Sequence, residues 1–445
     1  MLRDAWALAI ETLSWIELQR LGERLALKKA ARQLEIEDSK TLGLVHKLVC
    51  ETIRTRNFID YLLNWVLTPR SLKDFKLGLQ AFLRLYTYET EIAGHDFEKA
   101  VDMARIGRSI LGWREFSEVE ETLGKILNTQ FSVLLKGISD EEKIGLSTYN
   151  PLWFVKVCFK MFGRKEALEY LESSKKIPLT YIRINTLKLS EEALLKKIES
   201  DNIVVEEIQQ LRYTYKVEKS QRPLTRTQSF RDGFFFIQDK ASCLSVEVAN
   251  PKSGTTVLDF CAAPGAKTTY LAQLMENKGA IYSIDYSRRR MKVWGRETKR
   301  MGVKIATSVI ADARNPLPIK VQADLVILDP PCTSTGAFGK IPSAKWRLTK
   351  RSALRMAKLQ WDMLNQCAEC VKDGGFLVYS TCSATLEENE MLIERFLKWH
   401  PEFTFAETSP KIGLPGLRGQ SKCQRLYPHL HECNGFFVAK LLKES

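Results

Sequence analysis

The sequence predicts an α/β protein: an open, mostly parallel sheet with helices on both faces, preceded by a small α+β segment and an all-helical N-terminal region. From about residue 236 short apolar runs alternate with amphipathic stretches, the rhythm of strand and crossover helix. Upstream of about residue 135 apolar residues recur at helical spacing with hardly any strand-like alternation. At 445 residues the chain is too long for one ordinary core, so two or three domains are expected.

Residues 1–138 are read as all-α. In TLGLVHKLVCETIRTRNF, Leu44, Val45, Leu48, Val49 and Ile53 are spaced to make one apolar helix face. Residues 145–235 are mixed, with helix patterns in NPLWFVKVCFKMFG and KEALEYLESS and a strand in PLTYIRINTLKLS. A further helix, SEEALLKKIESD, opens on Ser190 as its N-cap. In residues 236–445, TTVLDFC, GAIYSID, IATSVIAD, ADLVILD and GFLVYSTC read as buried strands. KTTYLAQLMEN and RSALRMAKLQWDMLNQCAECVK read as intervening helices. Ligands of such sheets bind outside the carboxyl ends of the strands.

Composition narrows the class. With 44% hydrophobic and 27% charged residues the chain is of the globular kind, and a net charge of +14 favours a polyanionic partner such as nucleic acid. The ten cysteines are scattered, Asp4 and Glu11 interrupt any signal-peptide core, and no run of about 18 apolar residues occurs. A cytoplasmic protein with reduced thiols, no membrane association and a monomeric state is therefore expected. Cys367 and Cys370 form a CxxC inside a helix pattern, and His429, His431 and Cys433 lack further cysteines nearby, so no metal is expected.

The chemistry-bearing residues gather at the ends of the predicted strands. The first strand ends in Leu258-Asp259 and runs through Phe260 into Cys261, Ala262, Ala263, Pro264, Gly265, Ala266 and Lys267, small residues that let a ligand approach the backbone before a helix opens. Neither a phosphate-binding P-loop nor GxGxxG is present. Asp285 lies twenty residues after Gly265, where an acid can accept from ribose hydroxyls, and Asp312 and Asp329 follow the next two strands. Four acids at four successive strand ends indicate a nucleoside cofactor, better S-adenosylmethionine than a dinucleotide; the ordinary alternative is a set of strand-end caps.

Pro330 and Pro331 stiffen the loop that carries Asp329 and Cys332. Fifty residues on, Thr381-Cys382-Ser383 brings a second thiol to the same sheet edge. Thr385-Leu386-Glu387-Glu388 resembles a capping box, which would put Cys382 just before a helix. Most free cysteines are simply small buried hydrophobes, but methylating C5 of a pyrimidine requires a nucleophile. A thiolate adding to C6 makes C5 enamine-like. Asp329 is suited to the exocyclic amine and N3 edge of cytosine, which favours cytosine over uracil.

DFCAAPGAKTTYLA, DPPCTSTG and YSTCS, in this order, resemble the RNA 5-cytosine methyltransferases of the Fmu/Sun type. The similarity extends through PLTYIRINTLKLS, FFIQDKAS, EENE and GFFVAK, covering about residues 145–445. LVCETIRTRNFIDYLLNWVL and FEKAVDMARI resemble the NusB-like helical domain of ribosomal-RNA members. The resemblance implies a Rossmann-like S-adenosylmethionine-dependent methyltransferase sheet over 236–445, a small RNA-binding or linker domain over 145–235 and a NusB-like RNA-binding domain over 1–138. It implies that Cys261 to Lys267, Asp285, Asp312 and Asp329 contact the cofactor, a set in which we include Arg290. It makes Cys382 the nucleophile and Cys332 the second thiol, assisting proton removal or product release, with Asp329 and Lys267 completing the catalytic set. Ala266 stands where the family usually has a second Gly, which requires a negative φ there.

For RNA contact, SRRRMKVWGRETKR offers Arg289, Lys292, Arg296 and Lys299 at helical spacing, and KWRLTKR with Arg355 and Lys358 follows the Cys332 loop. The expected activity is methyl transfer to C5 of cytosine in RNA, ribosomal rather than transfer RNA. A non-catalytic RNA-binding assembly factor is the reading from a different class.

Overall fold

A computed structural model describes residues 2–444. The chain divides into two compact units, Met1–Ile177 with Phe338–Thr349, and Pro178–Ala337 with Lys350–Ser445. Residues 145–177 thus group with the helical unit, and the small sheet that follows groups with the large one.

The first unit is helical. Its helices include Leu2–Gln19, Glu23–Gln33, Ser39–Arg54, Arg56–Val66, Leu77–Thr87 and Phe97–Leu111. Asp38 and Asp96 cap two of them, each carboxylate accepting first-turn backbone N–H groups. Val45, Val49 and Ile53, four residues apart, are buried, whereas Leu44 lies off the stripe and is 53% exposed. Helix Leu152–Ser173 is interrupted at Gly163, whose φ is 73°. Residues 338–349 are built into this unit. Phe338 packs edge-on against Phe154 with ring centroids 4.9 Å apart, Arg54 donates to the Gly339 carbonyl at 2.8 Å, and Trp346 Nε1 donates to the Ile53 carbonyl at 2.6 Å. Lys345 is fully buried, donating to Tyr149 O at 2.9 Å and Ser174 Oγ at 3.3 Å, and burial holds its pKa well below the usual lysine range. Lys345 is therefore withdrawn from the basic surface expected of KWRLTKR.

The second unit holds two sheets. Strands β1 (Tyr181–Ile184), β2 (Ile203–Glu207), β3 (Thr214–Ser220) and β4 (Phe235–Ile237) form an antiparallel sheet in the order β2-β3-β1-β4. Ser190 caps helix Glu191–Ser200, accepting from Ala193 N at 3.5 Å.

The large sheet contains β5 (Thr256–Phe260), β6 (Ala280–Asp285), β7 (Ala306–Ile310), β8 (Ala323–Leu328), β9 (Val371–Thr381), β10 (Phe403–Ala406), β11 (Leu414–Pro415), β12 (Gln424–Leu426) and β13 (Phe436–Lys443). Over the described residues its order is β11-β12-β13-β9-β8-β5-β6-β7, with β10 paired to β13. The pairs β9-β8, β8-β5, β5-β6 and β6-β7 are parallel; β13 runs antiparallel to β9. Both faces are covered, which explains the continuous apolar runs. Leu258, Phe260, Val326, Leu328 and Leu377 pack in one core with Met363, Leu364 and Phe396, while Val257, Leu325, Ile327 and Val378 pack in another with Leu244 and Leu271. The Rossmann-like methyltransferase sheet is present. The antiparallel strands β10–β13 extend it beyond the five strands legible in sequence.

Arg183, on β1, is fully buried and ties the small sheet to helix Ala266–Leu274, which follows β5: Nε donates to Gln238 Oε1 at 3.1 Å, Nη2 to Thr269 Oγ1 at 2.8 Å, and Nη1 to Gln273 Oε1. Burial lowers its pKa to about 10. Arg183→Met orphans these acceptors and is expected to destabilise the unit by about 3 kcal/mol, at roughly 1–3 kcal/mol per unsatisfied buried group. A shift of the urea midpoint checks this, with Arg183→Lys expected to recover only part of the loss.

Candidate active site

Parallel pairing puts the carboxyl ends of β9, β8, β5, β6 and β7 side by side. Cys382 follows β9, Asp329 and Cys332 follow β8, Cys261–Lys267 follow β5, Asp285 ends β6 and Asp312 lies just beyond β7. The row thus runs from thiols at one end to acids at the other, with the β5 loop between.

The β5 loop turns on Cys261, at φ 61°, and Gly265, at φ 112°, which caps helix Ala266–Leu274. A side chain at Gly265 would also crowd Trp294, whose Cδ1 would lie 3.2 Å from the added Cβ. Ala266 is the first helical residue and lies outside the positive-φ positions, so its methyl group meets the condition set by the sequence. Asp285 is buried and accepts from Ala263 N at 3.3 Å, Ser287 N at 3.0 Å and Arg290 Nη1 at 3.1 Å. Arg290 also donates to the Ala263 carbonyl, so it fastens the loop to the β6 acid. Asp312 is tied to its own turn by Arg314, which with the backbone N–H of Arg314 holds its carboxyl below the usual range, although burial opposes this in part. Asp259 is buried, pushed up to about 7 by burial, with Thr268 donating to Oδ2 at 2.5 Å and Oδ1 left without a partner. This donor set suits a nucleoside with an amino-acid tail: a helix N-terminus offers N–H groups to a carboxylate, and Asp285 offers acceptors to ribose hydroxyls.

Lys267 is buried and paired with Asp329; burial works against its charge, but Asp329 and then Asp259 hold its pKa above the usual lysine value. Cys332 and Cys382 are half-buried with their sulfurs 3.3 Å apart. Ser334, at φ 54°, brings its hydroxyl within 3.3 Å of Cys382 Sγ and 3.9 Å of Cys332 Sγ. The hydrogen bond from Cys332, helped against burial by Ser334, holds the Cys382 thiol below its ordinary pKa. The same bond and burial push Cys332 well above it. The two neighbouring thiols are thus shifted in opposite directions, Cys382 towards the thiolate and Cys332 towards the thiol.

The thiol loops are sewn together. Gly336 N donates to the Cys382 carbonyl at 3.0 Å and Ala384 N donates to Thr335 Oγ1 at 2.8 Å. A Cβ at Gly336 would stand 2.2 Å from the Gly435 carbonyl oxygen, so only glycine fits. The capping box expected at Thr385–Glu388 is not formed: the next helix begins at Glu390, and Glu388 instead accepts from side chains and Thr333 N within the thiol loops. Ser334, Gln360 and Glu388 were not predicted as site residues. CTSTG and EENE contained two of the three, but their partners lie about 50 residues away. The exposed Arg289, Lys292, Arg296 and Lys299 line one face of helix Arg288–Met301, which starts beside Asp285. Among the described residues no group of three or more His, Cys, Asp and Glu is placed to hold a metal, and no helix is long and apolar enough to cross a membrane.

The profile of the 16S rRNA methyltransferase RsmB/F family matches residues 246–442. The chain is 29% identical to the probable ribosomal RNA small subunit methyltransferase B of Bacillus subtilis, over 98% of each chain. It is 31% identical to the protein of the same name from Synechocystis, over 69% of this chain and 70% of that one. The crystal structure of PH0851 matches with a TM-score of 0.84 at 29% identity, covering 100% of this chain and 99% of that one. NSun6 from Pyrococcus horikoshii, solved with the S-adenosylmethionine analogue SFG, matches with a TM-score of 0.61 at 26% identity, over 66% of this chain and 98% of that one.

The unequal thiols are open to a direct test. Iodoacetamide should modify Cys382 before the other cysteines, with a pH midpoint below theirs. Cys332→Ala should move that midpoint upward, because the hydrogen bond that most favours the Cys382 thiolate is gone. Peptide mapping by mass spectrometry at a series of pH values reads both.

Proposed function

The chain belongs to the RsmB/F family of 16S rRNA methyltransferases, and on that premise we propose that it transfers the methyl group of S-adenosylmethionine to C5 of a cytosine in ribosomal RNA. The observation that carries this reading is the thiol pair, 3.3 Å apart, with opposite pKa shifts and Asp329 at the end of the neighbouring strand. A non-catalytic assembly factor has no use for such a pair.

S-adenosylmethionine supplies an electrophilic methyl sulfonium when bound; Cys261–Lys267, Asp285, Arg290, Asp312 and Asp329 are the residues proposed to hold it, Arg290 by steadying the loop. Cys382 Sγ forms a bond to C6 of the cytosine, which raises electron density at C5. After C5 is methylated, its proton is removed, the Cys382–C6 bond breaks and the ring regains its double bond. Cys332 serves as the proton carrier for this last stage: its thiol proton passes to the departing Cys382 sulfur 3.3 Å away, and it takes up the C5 proton in return. Asp329, held by Lys267, receives the exocyclic amine and N3 edge of the base. The base has to be unpaired or turned out of a helix to reach the sulfur.

For the rest of the chain, residues 1–138 are proposed as a NusB-like RNA-binding domain and the four-stranded sheet as a further RNA contact. The cationic face of helix Arg288–Met301 supplies phosphate contacts that weaken with salt. The full-length similarity to a relative named for small-subunit ribosomal RNA favours that RNA over transfer RNA.

Cys382→Ala should abolish release of tritium from [5-³H]cytosine-labelled ribosomal RNA, a rate loss beyond about 1,000-fold for removal of a covalent nucleophile. Cys332→Ser should instead accumulate an RNA–protein adduct that survives denaturing electrophoresis. Adduct formed by the Cys382 variant would reverse the two roles. Turnover on transfer RNA alone would replace the substrate, and no turnover on either RNA would favour the assembly factor.

A further inference from the structure

Three consecutive polar residues after the Cys382 loop, Glu388, Asn389 and Glu390, are all fully buried. Two have evident local duties. Glu390 forms an ion pair with the buried Arg425, whose Nε lies 2.5 Å from Oε1, and Asn389 accepts from Thr381 Oγ1 at 2.5 Å and donates to the Ser383 carbonyl at 2.9 Å. Glu388 is different, because its hydrogen bonds come from both thiol loops. Thr333, next to Cys332, donates its backbone N–H to Oε2 at 2.9 Å and its hydroxyl to Oε1 at 2.5 Å. Ser383, next to Cys382, donates to Oε1 at 2.6 Å, and Thr385 does so at 2.8 Å. Gln360 Nε2 donates to Oε2 at 3.0 Å and to the Pro331 carbonyl at 2.9 Å, bracing the proline pair as well.

From this arrangement we infer that Glu388 is a positioning residue for methyl transfer: its carboxylate clamps the residue after each cysteine and thereby fixes the separation of the two sulfurs. The inference rests on the proposed reaction for the roles of Cys382 and Cys332. Glu388 itself touches neither sulfur. Five donors converge on one acceptor group, whereas without it the two loops are joined by Gly336, by Thr335 and by the single hydroxyl contact between Thr333 and Ser383 at 3.0 Å. Displacement of a reacting group by about 1 Å costs on the order of 100-fold in rate.

The variants Glu388→Ala and Glu388→Gln separate positioning from proton chemistry. Gln keeps the size, its oxygen can accept from Thr333 N and Gln360, and its amide can donate to two of the three hydroxyls, which rotate to accept. Ala should lower kcat about 100-fold with KM for RNA and for S-adenosylmethionine within about 3-fold, whereas Gln should retain kcat within about 5-fold. A Gln variant as inactive as Ala would overturn the inference, since Glu388 would then act through its charge or a proton. Ala with wild-type kcat would overturn it equally. Should Glu388→Ala not fold, Thr333→Val, which removes the hydroxyl that meets both Glu388 and Ser383, is expected to lower kcat about 5-fold with the same unchanged KM, and a wild-type kcat there would overturn the inference.

A second readout needs no RNA. Dibromobimane bridges thiols only a few ångströms apart, so in the free protein it should link Cys332 to Cys382 in the wild type and in Glu388→Gln, and about 10-fold more slowly in Glu388→Ala, the carboxylate clamp on both loops being lost. Equal bridging rates in all three would overturn the clamp. If the wild type methylates no RNA, the proposed reaction fails while this measurement still decides the clamp.

Discussion

The short hydrogen-bonded span between the loop after β8 and the loop after β9 is the constraint on which the chemistry depends. Neighbouring parallel strands bring their carboxyl ends within reach of each other, but that alone leaves two irregular loops free to separate. Here each loop is fastened to the other: the Gly336 N–H meets the Cys382 carbonyl, Thr335 receives Ala384 N, and Thr333 and Ser383 share Glu388. The antiparallel strand β13 stiffens the arrangement from behind, pairing with β9 from Phe376 to Thr381, and its approach at Gly435 is what excludes a side chain at Gly336. A sheet edge thus becomes a rigid mount for two sulfurs.

Electrostatics then divides labour between chemically identical groups. A thiol hydrogen-bonded to another thiol shares one proton with it, and the Ser334 hydroxyl favours charge on Cys382. The nearby Asp329 and Glu388 carboxylates oppose charge on both sulfurs, and the bond to Cys332 does most to lower the Cys382 thiol. Lys267 is committed to Asp329. Asp329 is held in place by the lysine, and the sulfurs are tuned mainly by each other.

The strands, the order of the motifs and the pairing of Cys332 with Cys382 were legible because strand burial and strand-end chemistry are local patterns. ADLVILD reads as a doubly buried strand whatever surrounds it, and the acid, proline and cysteine after it mark its end. The four antiparallel strands β10–β13 were not legible: QRL and LP are too short to carry a period, and their pairing is set by contacts distant in sequence. Glu388 was misread for a related reason. Thr and Glu three residues apart are the signature of a helix start, and the hydrogen bond between them does form, but the donors that decide its role, Thr333 and Gln360, lie 55 and 28 residues away. Lys345 failed similarly, because a basic residue in a basic cluster carries no sign of a buried site that only folding creates.

Residues 338–349 leave the sheet unit directly after the Cys332 loop, are built into the helical unit and return at Lys350. The chain therefore crosses between its two units three times, and no single cut can separate them into self-sufficient pieces. A fragment beginning at residue 178 would carry Phe338, Ala344, Lys345 and Trp346 without the helices that cover them, a short greasy loop with a lysine at its centre. In this protein the N-terminal helices are consequently no detachable module added to a finished enzyme. They complete the packing of a segment that starts within six residues of Cys332, so inheritance of the two units is bound together by the path of the backbone.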